Sequence, residues 1–339
     1  MRIAFVGKGG SGKTTSAAMF SRYLAERGLP VLTIDADINQ HLGQALGHDG
    51  PPPRALGTDL TWLKDHLRGT NPRIPSADSM IKTTPPGPGS RMLDLSLSDE
   101  LIQRYTATVG GVRYLVTGEF DEADIGVSCY HSKTGAVELY LNHLLDGPGE
   151  YVVVDMTAGA DAFASGLFTR FDLTVLVSEP TRRGVGVYRQ YAEHARGHGV
   201  ELRVLGNKVA DPADVAYLRD QVGDALLGCF GQSAWVRAGE RGDATPFTAL
   251  EPANLAVLDA VLDALDTRER DWATYHHGTV EFHRRNAAAW GNRAVGADLA
   301  AQIAPDFLPA APPPVRGNRR WGDDFRARGG EVAYSASRR

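Results

Sequence analysis

GKGGSGKTT, residues 7–15, sits between the short apolar run RIAFV (2–6) and the segment TTSAAMFSRYLAERG (14–28). Gly7 to Thr14 fits G-x-x-x-x-G-K-[ST], and the flanks read as a buried strand before it and a helix after it, stopped at Gly28. That context makes the stretch a phosphate-binding loop. Its glycines let successive backbone N–H groups of Gly9, Gly10, Ser11 and Gly12 turn toward phosphate oxygens. The helix N-terminus at Lys13, Thr14 and Thr15 adds partial positive charge. Lys13 is expected on the β- and γ-phosphates, and the Thr14 hydroxyl on Mg²⁺.

Outward from the loop, apolar strands alternate with helical runs. PVLTIDAD (30–37), VRYLV (112–116), YVVVDM (151–156), LTVLVSEP (173–180) and ELRVLGNKV (201–209) read as strands; AVELYLNHLL (136–145) and VYRQYAEHARGHG (187–199) read as helices. The pattern predicts an α/β fold with a mostly parallel sheet covered by helices on both faces. Its ligand belongs at the carboxyl ends of the strands. Residues 1–265 are expected to form this domain, with 48–100 as an irregular, Pro- and Gly-rich insertion containing some helix. Residues 266–308 read as a helical extension, and 309–339 as a weakly ordered tail rich in Pro, Arg and Gly.

Composition narrows the function. The chain has 339 residues, 42% hydrophobic and 23% charged, ordinary globular values. A net charge of −5 gives no general pull toward nucleic acid or anionic lipid. The two cysteines, Cys129 and Cys229, form no disulfide framework and suit a reducing compartment. No apolar run reaches the roughly 18 residues of a membrane span, and no signal peptide is evident, so a cytoplasmic protein is expected. YVVVDMTAGAD (151–161) is an apolar strand ending in an acid, a Walker-B pattern in which Asp155 would hold Mg²⁺ through water. VLGNKVAD (204–211) is not the guanine-reading N-K-x-D, because Ala210 stands where the aspartate should be, and this favours ATP over GTP.

The loop carries a second lysine, Lys8. KGGSGKTT resembles the deviant Walker motif of the MinD/ParA/nitrogenase-iron-protein group of ATPases. That resemblance implies that Lys8 reaches the nucleotide of a second subunit in an ATP-dependent homodimer. It also implies that Asp37, in switch I, orients the attacking water, and that Asp35 lies nearer the Mg²⁺ shell. Asn207 takes the adenine-contact position, and Glu179 lies near the base pocket. TAGAD would be switch II.

Within that group, GVRYLVTGEFDEADIGVSCYHSKTGAVELYLNHLL (111–145) resembles the carbon monoxide dehydrogenase accessory ATPase family, which inserts nickel and carries C-x-C here. This chain instead has Cys129-Tyr130-His131. A symmetric dimer would assemble two Cys and two His, a sound set for Zn²⁺, with Ni²⁺ as the alternative. The alternative is a small buried cysteine and a helix-entry histidine. The resemblance implies a metal-centre maturation ATPase with a metalloenzyme client. The competing expectation is a MinD/ParA-like positioning or regulatory switch acting without metal on a protein, DNA or membrane partner. In DWATYHHGTVEFHRRNAAAWGN (271–292), His276, His277 and His283 read as a polar helix face, with a metal cluster as the alternative, and Trp272 and Trp290 as a packing or docking surface.

Overall fold

Eight strands form one sheet: β1 (Arg2–Gly7), β2 (Val31–Ala36), β3 (Ala107–Val109), β4 (Val112–Val116), β5 (Tyr151–Met156), β6 (Leu173–Ser178), β7 (Leu202–Gly206) and β8 (Leu226–Cys229). The computed structural model describes residues 1–96, 99–119, 131–163, 166–243 and 245–310, with the backbone alone at 131, 132, 160 and 161. The strand order is β3-β4-β2-β5-β1-β6-β7-β8, and every neighbouring pair is parallel except β3–β4. That hairpin turns on Gly110 and Gly111, whose φ values of 53° and 79° suit the tight turns that follow strand twist. β3 is three residues long and partly exposed, too short for a clear signal in the sequence. Cys229 lies half-buried on the edge strand β8.

Alternate strand residues feed the two faces. Ala4, Val6, Leu32, Ile34, Val152 and Val154 pack into one core, and Ile3, Phe5, Val31, Val153 and Val175 into the other. Helix Lys13–Glu26 covers the second face, and helix His131–His143 the first. The segment 48–100 is more integral than an insertion. Leu56, Leu63, Leu67, Ile74, Met80, Leu93 and Leu95 are all buried in the first core, around the amphipathic helix Leu60–Arg68. Its Pro and Gly clusters shape the turns, while its leucines supply the packing.

Helices Pro252–Asp266 and Trp272–Asn286 carry the C-terminal part. The connection between them is fixed at the end of β1 remote from the phosphate loop. Arg270 pairs with Asp146 at 2.9 Å and Asp172 at 2.5 Å, and the Arg2 Nε donates to Asp146 at 2.7 Å. Arg2, Asp146 and Arg270 are almost fully buried. Burial alone would push the Asp146 carboxyl up, but Arg2 and Arg270 override it and hold it well below the usual range.

His276 and His283 do not sit on a polar helix face. Both are buried; His283 faces the Thr83 hydroxyl at 3.3 Å and the Leu299 carbonyl at 3.0 Å, while His277 is exposed. No group of three or more metal-ligating side chains forms among the described residues. Trp272 stacks under Arg270 at 4.8 Å, and Trp290 stays 38% exposed. Among the described residues no helix is long and apolar enough to cross a membrane. The tail 311–339 lies outside the described residues.

Candidate nucleotide site

The site sits at the carboxyl end of β1, the central position flanked by β5 and β6. Gly7 leaves the strand with φ 147°, and a Cβ there would stand 2.5 Å from the Val177 carbonyl oxygen. The chain then turns through the Ser11 N–H to Lys8 carbonyl bond at 3.1 Å. Gly12, left-handed at φ 98°, forms the N-cap of helix Lys13–Glu26, and no side chain of the described residues caps that end. The first N–H groups of the helix therefore face outward with their partial positive charge available to an anion.

Two neighbours hold the loop from outside. The Asn207 amide Nδ2 donates to the Ser11 carbonyl at 2.8 Å, and Lys208 Nζ to the Gly10 carbonyl at 2.7 Å. These bonds hold the Ser11 and Gly10 carbonyls from outside the loop, while the Ser11 N–H is taken up by the Lys8 carbonyl. A Cβ at Gly12 would meet the Asn207 amide at 2.1 Å, so that glycine is needed for both space and backbone angle. Lys208, left-handed at φ 57°, also lies 2.8 Å from Glu179 Oε1. Glu179 Oε2 accepts from Lys8 at 2.8 Å, so Glu179 is engaged by two lysines. Those lysines, Lys208 before Lys8, draw the Glu179 carboxyl below its usual range. Sequence reasoning overlooked Lys208; its only signal was its place directly after Asn207.

Three carboxylates converge beside Lys13. Sheet register places Asp35 of β2 directly beside Asp155 of β5, and Phe5 of β1 on the other side. Asp155 Oδ2 accepts the Thr14 hydroxyl at 2.6 Å. Its Oδ1 is buried with no partner among the described residues. Asp35 accepts from the backbone N–H groups of Leu42 at 2.9 Å and Asp37 at 3.2 Å. Asp37 Oδ2 lies 3.7 Å from the buried Lys13 Nζ, and its Oδ1 accepts the Asn39 N–H at 3.1 Å. Burial pushes Asp155 up to about 8, with the Asp35 charge adding to the rise, and burial raises Asp35 to about 7. The three carboxylates do not close into one ligand set, but Thr14 with Asp155 and Asp35 suits a hard divalent cation. An alcohol, an orphaned carboxylate oxygen and a second acid supply only oxygen donors, and two strained carboxyls would be relieved by positive charge.

The structure brings Lys8, Lys13, Thr14, Asp35, Asp37, Asp155, Glu179 and Asn207 to one sheet end. Cys129 lies outside the described residues, and His131 opens the helix His131–His143 with only its backbone described. Asp211, after Ala210, is spent as the N-cap of helix Pro212–Val222, accepting from Ala213 and Asp214.

Residues 3–110 match the CobQ/CobB/MinD/ParA nucleotide binding domain. The chain is 29% identical over 269 residues to the carbon monoxide dehydrogenase accessory protein CooC of Rhodospirillum rubrum, covering 78% of this chain and 96% of that protein. It is 28% identical over 228 residues to an uncharacterized ATP-binding protein of Methanocaldococcus jannaschii, covering 67% and 81%. Among solved structures, MinD of Pyrococcus horikoshii complexed with Mg-ADP shares the fold at a TM-score of 0.50 and 18% identity, covering 77% of this chain and 95% of that one.

Proposed function

We propose that this chain, whose residues 3–110 match the CobQ/CobB/MinD/ParA nucleotide binding domain, is a dimerising switch ATPase that serves the maturation of a metal centre. The observation that carries the ATPase part is the convergence of Lys13, Thr14, Asp37 and Asp155 at one strand end, beside the N-terminus of helix Lys13–Glu26, which no described side chain caps. Thr14 and Asp155 would hold Mg²⁺, with Asp35 behind them. Bound there, Mg²⁺ supplies positive charge against the terminal phosphates of ATP. Lys13 adds to that charge, Asp37 orients the attacking water and accepts its proton, and the loop amides fix the phosphates in place. Asn207 and the neighbourhood of Glu179 receive the base.

Lys8 completes the site from a second protomer, so that closure of the homodimer and the state of the nucleotide report on one another. Hydrolysis is slow and times the switch. The maturation role is supported by the likeness to CooC, and by Cys129-Tyr130-His131, which would give a symmetric dimer a Cys₂His₂ set for Zn²⁺ or Ni²⁺.

The test is elemental analysis of anaerobically purified protein with ATP, beside Cys129→Ala. About one transition metal per dimer, lost in the variant, is the expected result. Protein without metal, or with metal indifferent to Cys129, would overturn the maturation role and leave a switch that acts on a partner without metal.

A further inference from the structure

The segment that follows Asp155 does not end in solvent; it is packed into the C-terminal extension. Phe163 closes the short 3₁₀ turn Gly159–Phe163, and its ring lies 4.8 Å from Phe168 and 4.3 Å from Tyr191. Phe168, on the next turn Gly166–Thr169, meets Phe282 of helix Trp272–Asn286 edge to face at 5.8 Å. His198 packs against both Phe168 and Phe282, at 5.3 and 5.8 Å. A Cβ at Gly166 would stand 3.1 Å from the Phe282 ring and 2.5 Å from Glu138 Oε1.

Arg170 fastens the same seam. Its side chain is buried, donates to the Thr279 hydroxyl and stacks over the Tyr275 ring at 4.5 Å. The same guanidinium reaches the Tyr275 carbonyl at 3.4 Å and Asn142 Oδ1, on helix His131–His143, at 3.5 Å. A Cβ at Gly278 would stand 3.2 Å from it. Close-packed rings and a buried guanidinium allow little slack. Sliding Phe163 and residues 166–170 past the helix would open voids and strand a charge, both costly.

We infer that helix Trp272–Asn286 is a built-in reader of the nucleotide: rearrangement of the loop after Asp155 passes through Phe163, Phe168 and Arg170 to Phe282, Thr279 and Tyr275, and repacks the extension. This rests on the switch reading above. It gives the extension a role beyond added bulk, since its outer surface, with Trp290, would then present a different face in each nucleotide state.

Hydrogen exchange on the full chain tests it, with Mg²⁺ and either ADP or a non-hydrolysable ATP analogue. Amides in 272–286 are expected to exchange at rates differing by about fivefold or more between the two states. Phe282→Ala should erase that difference while 157–163 still responds to nucleotide. Phe282→Leu, which keeps most of the apolar volume, repeats the test should the alanine variant unfold. Glu281→Gln, on the exposed side of the same helix, should retain the difference. A helix indifferent to nucleotide while 157–163 responds would overturn the inference alone. A loop 157–163 that is itself indifferent would overturn the switch reading, and this inference with it.

Discussion

Lys8 Nζ lies 2.8 Å from Glu179 Oε2 within one chain, and Lys208 occupies the other oxygen of the same carboxylate at the same distance. The lysine assigned to a partner's nucleotide is therefore held at home. It cannot serve both ends, so reaching across means leaving Glu179. Lys8→Ala should abolish ATP-dependent dimerisation and keep ATP binding, measured by sedimentation and by nucleotide titration. Glu179→Gln should lower the concentration for half dimerisation by about two- to fivefold, because partly exposed ion pairs are worth about 0.2–1 kcal/mol. Dimerisation unchanged by Lys8→Ala would refute the assignment in trans.

The grouping of the candidate site was legible in the sequence because its parts are local. A spacing pattern marks the loop, and acids at the ends of apolar runs mark Asp35, Asp37 and Asp155. The parts that escaped are pairings between distant residues. Nothing near Lys208 says that it will hold the Gly10 carbonyl, and nothing near Arg2 says that it will share Asp146 with Arg270. The histidines of helix Trp272–Asn286 misled for a related reason. A polar residue type suggests a wet face, but His283 faces inward because Thr83 and the Leu299 carbonyl meet it there. In 48–100 the prolines were conspicuous and the spacing of the buried leucines was not.

The acids at the site set a pH dependence of stability. Asp155 titrates at about 8 and Asp35 at about 7, against about 3.9 for an unfolded aspartate. A raised carboxyl means that the folded state holds its proton longer than the unfolded state does. The stability this gives is complete below pH 4 and is lost as pH rises through 7 and 8. The metal-free protein should therefore lose melting temperature between pH 5 and 8. Asp155→Asn should flatten that decline, and Mg²⁺ should raise the wild-type melting temperature more at pH 8 than at pH 6. A wild-type profile flat across this window would contradict the burial argument.

Asn207 is a tether as well as a candidate base contact. Asn207→Ala removes the bond to the Ser11 carbonyl, and one hydrogen bond is worth about 1 kcal/mol. ATP affinity should fall by up to about tenfold by calorimetry, because the loop amides lose their fixed direction. Gly12→Ala should be more severe, since the added Cβ meets Asn207 and the backbone sits at φ 98°. The double variant should stay as weak as Gly12→Ala, because removing the clash leaves the backbone strain. Recovery of binding in the double variant would assign the whole cost to the clash.

Arg270 joins the extension to the sheet. Arg270→Met leaves Asp172 and part of Asp146 without their buried partner, and breaking such a pair costs about 3–5 kcal/mol. The loss should appear in urea unfolding, and proteolysis should reach 266–272 sooner than in the wild type. Acid sensitivity separates this from simple loss of packing. Asp146 is held well below the ordinary range, so its contribution is present above about pH 4 and disappears as pH falls through its folded value. Without Arg270 that value rises, and acid unfolding should begin at a higher pH than in the wild type. Equal loss of stability at every pH would mean that Arg270 acts through its stacking on Trp272, not through its charge.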